Sequence, residues 1–250
     1  MIPIIGLENV SVRYRVPSER VGTFKEYAIR WLQGKVHKRE FWALDNVSFT
    51  VNKGEVFGVI GSNGAGKSTM LKLIARVLRP TSGRVWVNGR VAPLLELGAG
   101  FHPELSGREN IYLNGAMLGY SRREMTEKYQ RIVEFSEIGD FIDSPIRTYS
   151  SGMMTRLGFA VATDERPDIL LLDEVMAVGD LSFQNKCNQR ISSYRADGSS
   201  IFMVSHTMSL ILEMCDRVVW LEHGKLRRIG NAVDIVEEYS EYQTSGVNNS

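Results

Sequence analysis

Apolar and polar positions alternate along residues 4–14 (IIGLENVSVRY) and 43–51 (ALDNVSFTV), the two-residue period of half-buried β-strands. The second run ends at an Asn52, Lys53, Gly54 turn. Between the two strands the period changes. Phe24, Tyr27, Ala28, Trp31 and Leu32 fall on one helical face, behind a Thr23 and Glu26 capping box and ahead of Gly34, and a basic run of Lys35, His37, Lys38 and Arg39 follows. Two readings of this helix stand: an amphipathic element packed on its own domain, or an aromatic face presented to a partner or a membrane surface.

Residues 55–60 (EVFGVI) form an apolar strand, and Leu71, Ile74, Ala75 and Leu78 repeat at helical spacing after it. PTSG at 80–83 marks a turn, and residues 84–87 lead through Asn88 and Gly89 into 91–97 as a hairpin or two short strands. Gly98, Ala99 and Gly100 break that pattern. Residues 106–139 are helical in period, interrupted at Gly119, Tyr120 and Ser121, with many charges on the outer positions, which predicts an inserted helical lobe. A further helical segment at 155–163 precedes two continuous apolar runs, 169–174 (ILLLDE) and 200–205 (SIFMVS), the mark of strands buried on both faces of a parallel sheet. Residues 218–222 and 226–229 make a last hairpin around His223 and Gly224, before a charged helix near 232–242 and a tail, SGVNNS, expected to be disordered.

Length and charge bound what such a chain can do. The 250 residues suffice for one large α/β domain with a lobed insertion and not for two such domains. With 30 basic and 29 acidic residues there is no overall field to attract nucleic acid. Cys187 and Cys215 lack metal-ligand spacing and read as small apolar residues of a reducing cytosol. No run of about 18 apolar residues exists and the N-terminus lacks a signal-peptide core, so the chain is not expected to cross a membrane by itself.

The chemistry concentrates at residues 61–69, GSNGAGKST, which match the phosphate-binding pattern G-x-x-x-x-G-K-[ST] at every fixed position. Gly61, Gly64 and Gly66 let the backbone curl so that the N–H groups of Ser62, Asn63, Ala65 and their neighbours point inward at a phosphate. Lys67 adds a positive charge. The helix beginning near Ser68 and Thr69 turns its unpaired N–H donors toward the same anion, and Ser68 can offer its hydroxyl to Mg²⁺. Strand, loop and helix in that order are the setting the motif requires. Asp173 and Glu174, at the carboxyl end of a buried strand, should face the same crevice. Strand alternation points the two apart, so that Asp173 can hold Mg²⁺ while Glu174 reaches the attacking water as general base.

YSSGM at 149–153 lies some twenty residues before Asp173. Together with GSNGAGKST, ILLLDE, AVGD at 177–180 and His206, it makes the chain resemble, over about residues 4–230, the nucleotide-binding subunit of ABC transporters. The resemblance implies an α/β P-loop NTPase (RecA-like) core, here 1–97 and 155–230, with a helical subdomain at 98–154, an antiparallel β portion, the amphipathic insertion at 18–40 and a C-terminal helix and tail at 231–250. It implies that Tyr14 stacks on adenine, although a core-facing strand aromatic would look the same in sequence. Ser150 and Gly152 would meet the γ-phosphate of ATP held by the opposite subunit, Asp180 would belong to the loop beside it, and His206 would contact the γ-phosphate rather than merely cap its strand. The cofactors implied are ATP and Mg²⁺, and the partners are a second copy, with ATP sandwiched between, and separate transmembrane permease subunits. Where the family has a Mg²⁺-contacting glutamine the segment here is LLELGAGFHPELSGREN, and Glu96 is the nearest polar residue.

That segment, with YSSGM and DEVMAVGD, looks like the ATPase subunits of bacterial polysaccharide exporters for lipid-linked O-antigen, capsule or teichoic acid. It implies a peripheral place on the cytoplasmic face of the inner membrane, with the aromatic helix at the membrane boundary. Some members of the group carry a C-terminal glycan-binding domain; this chain stops at Ser250. The competing function is a soluble ABC-type ATPase acting on nucleic acid or ribosomes, disfavoured by the near-neutral charge and the lack of room for coiled-coil arms. A non-hydrolysing clamp is disfavoured by Glu174.

Overall fold

The computed structural model describes residues 2–17, 38–94, 97–98, 100–173 and 179–247. Strand β1 (Pro3–Pro17) pairs antiparallel with β2 (Lys38–Asn52) from Pro3 opposite Asn52 to Pro17 opposite Lys38. Both are longer than their alternation predicts. Lys38, Arg39 and Glu40, placed by their sequence in the insertion at 18–40, belong to β2, an edge strand of its sheet. The aromatic helix expected at 23–32 lies outside the described residues.

Strand β3 (Val56–Ile60) runs into the phosphate-loop motif and α1 (Lys67–Ile74) out of it. Next come β4 (Ser82–Val87) and β5 (Val91–Leu94), and here the hairpin reading is corrected. β4 completes a three-stranded sheet, β2-β1-β4, while β5 pairs parallel with β6 (Ile169–Asp173) in the other sheet. Asn88 and Gly89 therefore carry the chain from one sheet to the other. Of the two alternatives, two separate short strands is right.

The helical lobe holds α2 (Gly107–Met117) and α3 (Arg122–Ser136), each opened by a capping box, Ser106 with Glu109 and Ser121 with Glu124, and then two 3₁₀ turns. Helix α4 (Ser151–Ala162) begins four residues earlier than its periodicity predicts, because Ser150 Oγ accepts from Met153 N as its N-cap. It runs unbroken across the expected subdomain boundary at 154/155. An ionic cluster fastens the lobe to the core: Glu165 pairs with Arg90 (2.9 Å) and Lys128 (2.6 Å), and Asp164 with Arg131 (2.7 Å).

Helix α5 (Leu181–Ala196), β7 (Ser200–Val204), α6 (Met208–Met214), β8 (Arg217–Glu222), β9 (Lys225–Asn231) and α7 (Ala232–Val247) complete the described chain. Helix α7 takes in the first residues of the tail expected to be disordered. The second sheet has the order β5-β6-β7-β3-β8-β9, parallel except for β9. Its strands bury alternate residues in two cores, as a doubly covered sheet must. Phe57, Leu171, Phe202 and Val219 join the core shared with the three-stranded sheet and α1, where Phe49, Phe57 and Phe202 stack at 5.2 and 5.6 Å. Val56, Leu170, Met203 and Trp220 join the core shared with the helical lobe, α5 and α7. Cys187 and Cys215 are free and buried, in line with their reading as small apolar residues. Among the described residues no helix is long and apolar enough to cross a membrane.

Candidate functional site

Three neighbouring strands of the parallel sheet, β6, β7 and β3, end on the same side. Ligand sites in open α/β sheets form at such carboxyl ends. The phosphate loop follows β3, Asp173 ends β6 and His206 lies just beyond β7, and the three converge on one cleft of about 310 Å³. Its walls are Tyr14, Phe41, Ala43, Asn63, Gly64, Gly66, Lys67, Ser68, Thr69, Asp173, Val204 and His206. Tyr14 is half-buried and faces this cleft.

Why the loop needs glycine is visible at two positions. Gly66 has φ 108° and a Cβ there would lie 2.4 Å from Ala43 O; Gly61 has φ 149° and a Cβ would lie 2.3 Å from Leu221 O. The loop is thus wedged between the backbones of β2 and β8, and only glycine allows both the torsion and the approach. Beneath the cleft Ala65 is buried and its N–H donates to Ser62 O. Lys67, only 7% exposed, donates from Nζ to Gly61 O (2.7 Å) and Ser62 O (3.0 Å), which holds the ammonium over the loop. Burial lowers the Lys67 pKa from its ordinary value, and the Asp173 carboxylate works against that shift. The His206 pKa is also lowered, first by burial and then by the Lys67 charge, with Asp173 opposing. At neutral pH its imidazole is therefore uncharged and offers one N–H donor and one acceptor.

Ser68 and Asp173 line the same wall with a hydroxyl and a carboxylate, oxygen donors that suit a hard cation completing its shell with phosphate and water. The residues present therefore fit Mg²⁺ carried in with a nucleotide. Glu96 and Glu174 lie outside the described residues.

The other expected residues stand elsewhere. Ser150, Gly152 and Asp180 line a second cleft of about 600 Å³, with Glu137, Phe141, Arg156 and Gly179 among its walls. Among the described residues the two clefts have no wall residue in common. Ser150 caps α4 and Asp180 caps α5, Asp180 Oδ1 accepting from Phe183 N at 2.9 Å, so both helix N-termini open beside the cleft. The charge that ties them together is Arg156, which donates to Asp180 (2.7 Å) and Glu137 (3.1 Å) and lies 4.8 Å over the Phe183 ring.

A family model described as "ABC transporter" matches residues 44–177, more than half of the chain and the stretch that holds GSNGAGKST, YSSGM and ILLLDE. The chain belongs to the ABC transporter family. As such it is an ATPase. It is 50% identical over 247 residues to the O-antigen export system ATP-binding protein RfbB of Klebsiella pneumoniae, covering 96% of this chain and 99% of the relative. It is 44% identical over 206 residues to the teichoic acids export ATP-binding protein TagH of Lactococcus lactis, covering 82% of this chain and 44% of that one. Among solved structures, an ATP-binding cassette in a dimeric post-hydrolysis state with ADP and Pi superposes with TM-score 0.69 at 21% identity, covering 91% of this chain and 98% of that one. The ATP-binding subunit of an ABC transporter does so with TM-score 0.71 at 22% identity, over 95% and 93%. These likenesses bear out the fold.

Two residues of this ABC ATPase escaped the sequence reading. Phe41 stands opposite Tyr14 in the β1–β2 register and lines the phosphate cleft. Continuing the alternation of β2 back from Ala43 would have put it on that face. Arg156 had no readable signal, since its partners are 19 and 24 residues away along the chain.

Proposed function

We propose that this chain is the ATP-hydrolysing subunit that powers export of a lipid-linked, O-antigen-like polysaccharide through separate membrane-spanning partner subunits, at the cytoplasmic face of the inner membrane. The near-full-length likeness to an O-antigen export ATP-binding protein, at 50% identity, carries the reading. The geometry supports its mechanism. A nucleotide held by the phosphate loop has the signature residues of its own chain in a different cleft, so Ser150 and Gly152 act on the nucleotide of a second copy. Two copies close head to tail over two ATP molecules.

In that arrangement the loop N–H groups and Lys67 bind the β- and γ-phosphates, and Tyr14 takes the base. Ser68 and Asp173 hold Mg²⁺, which neutralises phosphate charge when bound. Neutral His206 orients the γ-phosphate end, and the N-terminus of the partner's α4 covers its outer oxygens. Glu174 accepts the proton of the attacking water, a role worth about 10²- to 10⁴-fold in rate. Asp180 sits at the rim of the signature cleft. The segment from Glu96 into the helical lobe passes closure to the membrane partner.

The test is genetic and chemical together. In cells lacking this chain, lipid-linked glycan should accumulate inside and surface polysaccharide should vanish; the wild-type gene restores export and Lys67→Ala does not. Undiminished surface polysaccharide without the chain contradicts the reading. Binding to RNA or ribosomes that weakens steeply with salt would favour the soluble-ATPase alternative instead.

A further inference from the structure

Phe41 is 53% exposed and Trp42 beside it 43%, whereas Ala43 and Leu44 further along the strand are 3% and 0% exposed. A wet phenyl ring beside a phosphate loop has no stabilising role in the core. Its direct cross-strand partner is Tyr14. Side chains of directly opposed residues project from the same face of the sheet, about 5 Å apart at Cβ. Both rings line the cleft that holds Lys67, Ser68 and Thr69.

The other face of the same two strands is occupied differently. There Trp42 stands opposite Arg13, whose guanidinium lies 5.3 Å over the indole, and Glu40 pairs with Arg13 at 2.9 Å and Arg15 at 3.2 Å. Strand alternation therefore sorts the aromatics of this hairpin: Trp42 is held by a cation on one side, while Phe41 and Tyr14 face the nucleotide side.

We infer that Phe41 and Tyr14 together form the nucleoside platform of the site, with the purine resting on both rings. The inference rests on the reading of the cleft as an ATP site and adds a second base-contacting residue to it. A phenyl ring carries no donor or acceptor, so its contribution is stacking and burial of the base face, each ring being worth a measurable fraction of the affinity. The triphosphate, held by the loop at the other end of the cleft, is indifferent to it.

Calorimetric titration of the 250-residue chain with ATP and, separately, with inorganic tripolyphosphate tests this. Phe41→Ala should raise the Kd for ATP about 5- to 50-fold, in keeping with stacking on one aromatic, and change that for tripolyphosphate less than twofold. Phe41→Trp should keep ATP affinity within about threefold of wild type, and Trp42→Ala, on the opposite face, within twofold. Unchanged ATP affinity in Phe41→Ala, or equal losses for ATP and tripolyphosphate, or an equal loss in Trp42→Ala, would overturn the assignment. Failure of the wild-type chain to bind ATP at all would instead remove the underlying reading.

Discussion

Arg156 offers the sharpest test of how the signature cleft is held. Its side chain is 19% exposed, whereas Asp180 and Glu137 are 62% and 45% exposed. Solvent screens both pairs, so each is worth about 0.5–1 kcal/mol. The guanidinium over Phe183 adds about 0.5–1 kcal/mol. Arg156→Ala should therefore destabilise the fold by about 2 kcal/mol, or roughly 4–8 °C in Tm for a chain of this size. Asp180→Asn separates the contributions, because it keeps an oxygen for Phe183 N while removing the charge. It should cost about 0.5–1 kcal/mol, and Asp180→Ala about 1 kcal/mol more through the lost cap. A double-mutant cycle between Arg156→Ala and Asp180→Asn should return a coupling of about 0.5–1 kcal/mol. On the proposal that the cleft these residues shape acts on a partner's nucleotide, ATP affinity should stay within about twofold while turnover falls roughly tenfold or more. Zero coupling, together with wild-type turnover in Arg156→Ala, would refute the positioning role.

Lys67→Ala deletes a charge-assisted phosphate contact of about 1.5–3 kcal/mol, so ATP should bind about 10- to 150-fold more weakly by calorimetry; unchanged affinity would count against the phosphate assignment. The Glu165 carboxyl is held down to about 2 by hydrogen bonds from Arg90 first and Lys128 second. Its folded pKa lies below the unfolded value, so its contribution to stability is fully present above about pH 4.5 and is lost as pH falls toward about 2. Glu165→Gln should accordingly lower the urea midpoint at pH 7 and progressively less between pH 4.5 and pH 2. A deficit that does not change with pH would show that the ion pairs are not its source.

Signals local to the chain made most of this fold legible. The strand, glycine loop and helix around Lys67, the doubly buried runs ending at Asp173 and near His206, and the helical lobe all followed from periodicity and turn residues within a few positions of one another. Pairing between distant segments was not legible. Asn88 and Gly89 look like a hairpin turn, yet β5 finds its partner in Ile169–Asp173, about 80 residues on, because the parallel sheet offers more burial than a local hairpin. The start of β2 was hidden because Lys38 and Arg39 continue the basic run of the insertion. That hid Phe41 as well. The start of α4 was hidden because Ser150, Ser151 and Gly152 look like a turn until Ser150 is seen as a cap. Ser150 and Gly152 precede Asp173 by some twenty residues, and the fold lines a separate cleft with them.

That separation is the central claim, and the mass of the nucleotide-bound chain tests it most directly. Glu174→Gln, saturated with ATP and Mg²⁺, should scatter light as a dimer of about 56 kDa, twice the 28.2 kDa chain. Adding Ser150→Arg should return it to a monomer that still binds ATP. An ATP-saturated Glu174→Gln chain that remains at 28.2 kDa would contradict a site shared between two subunits.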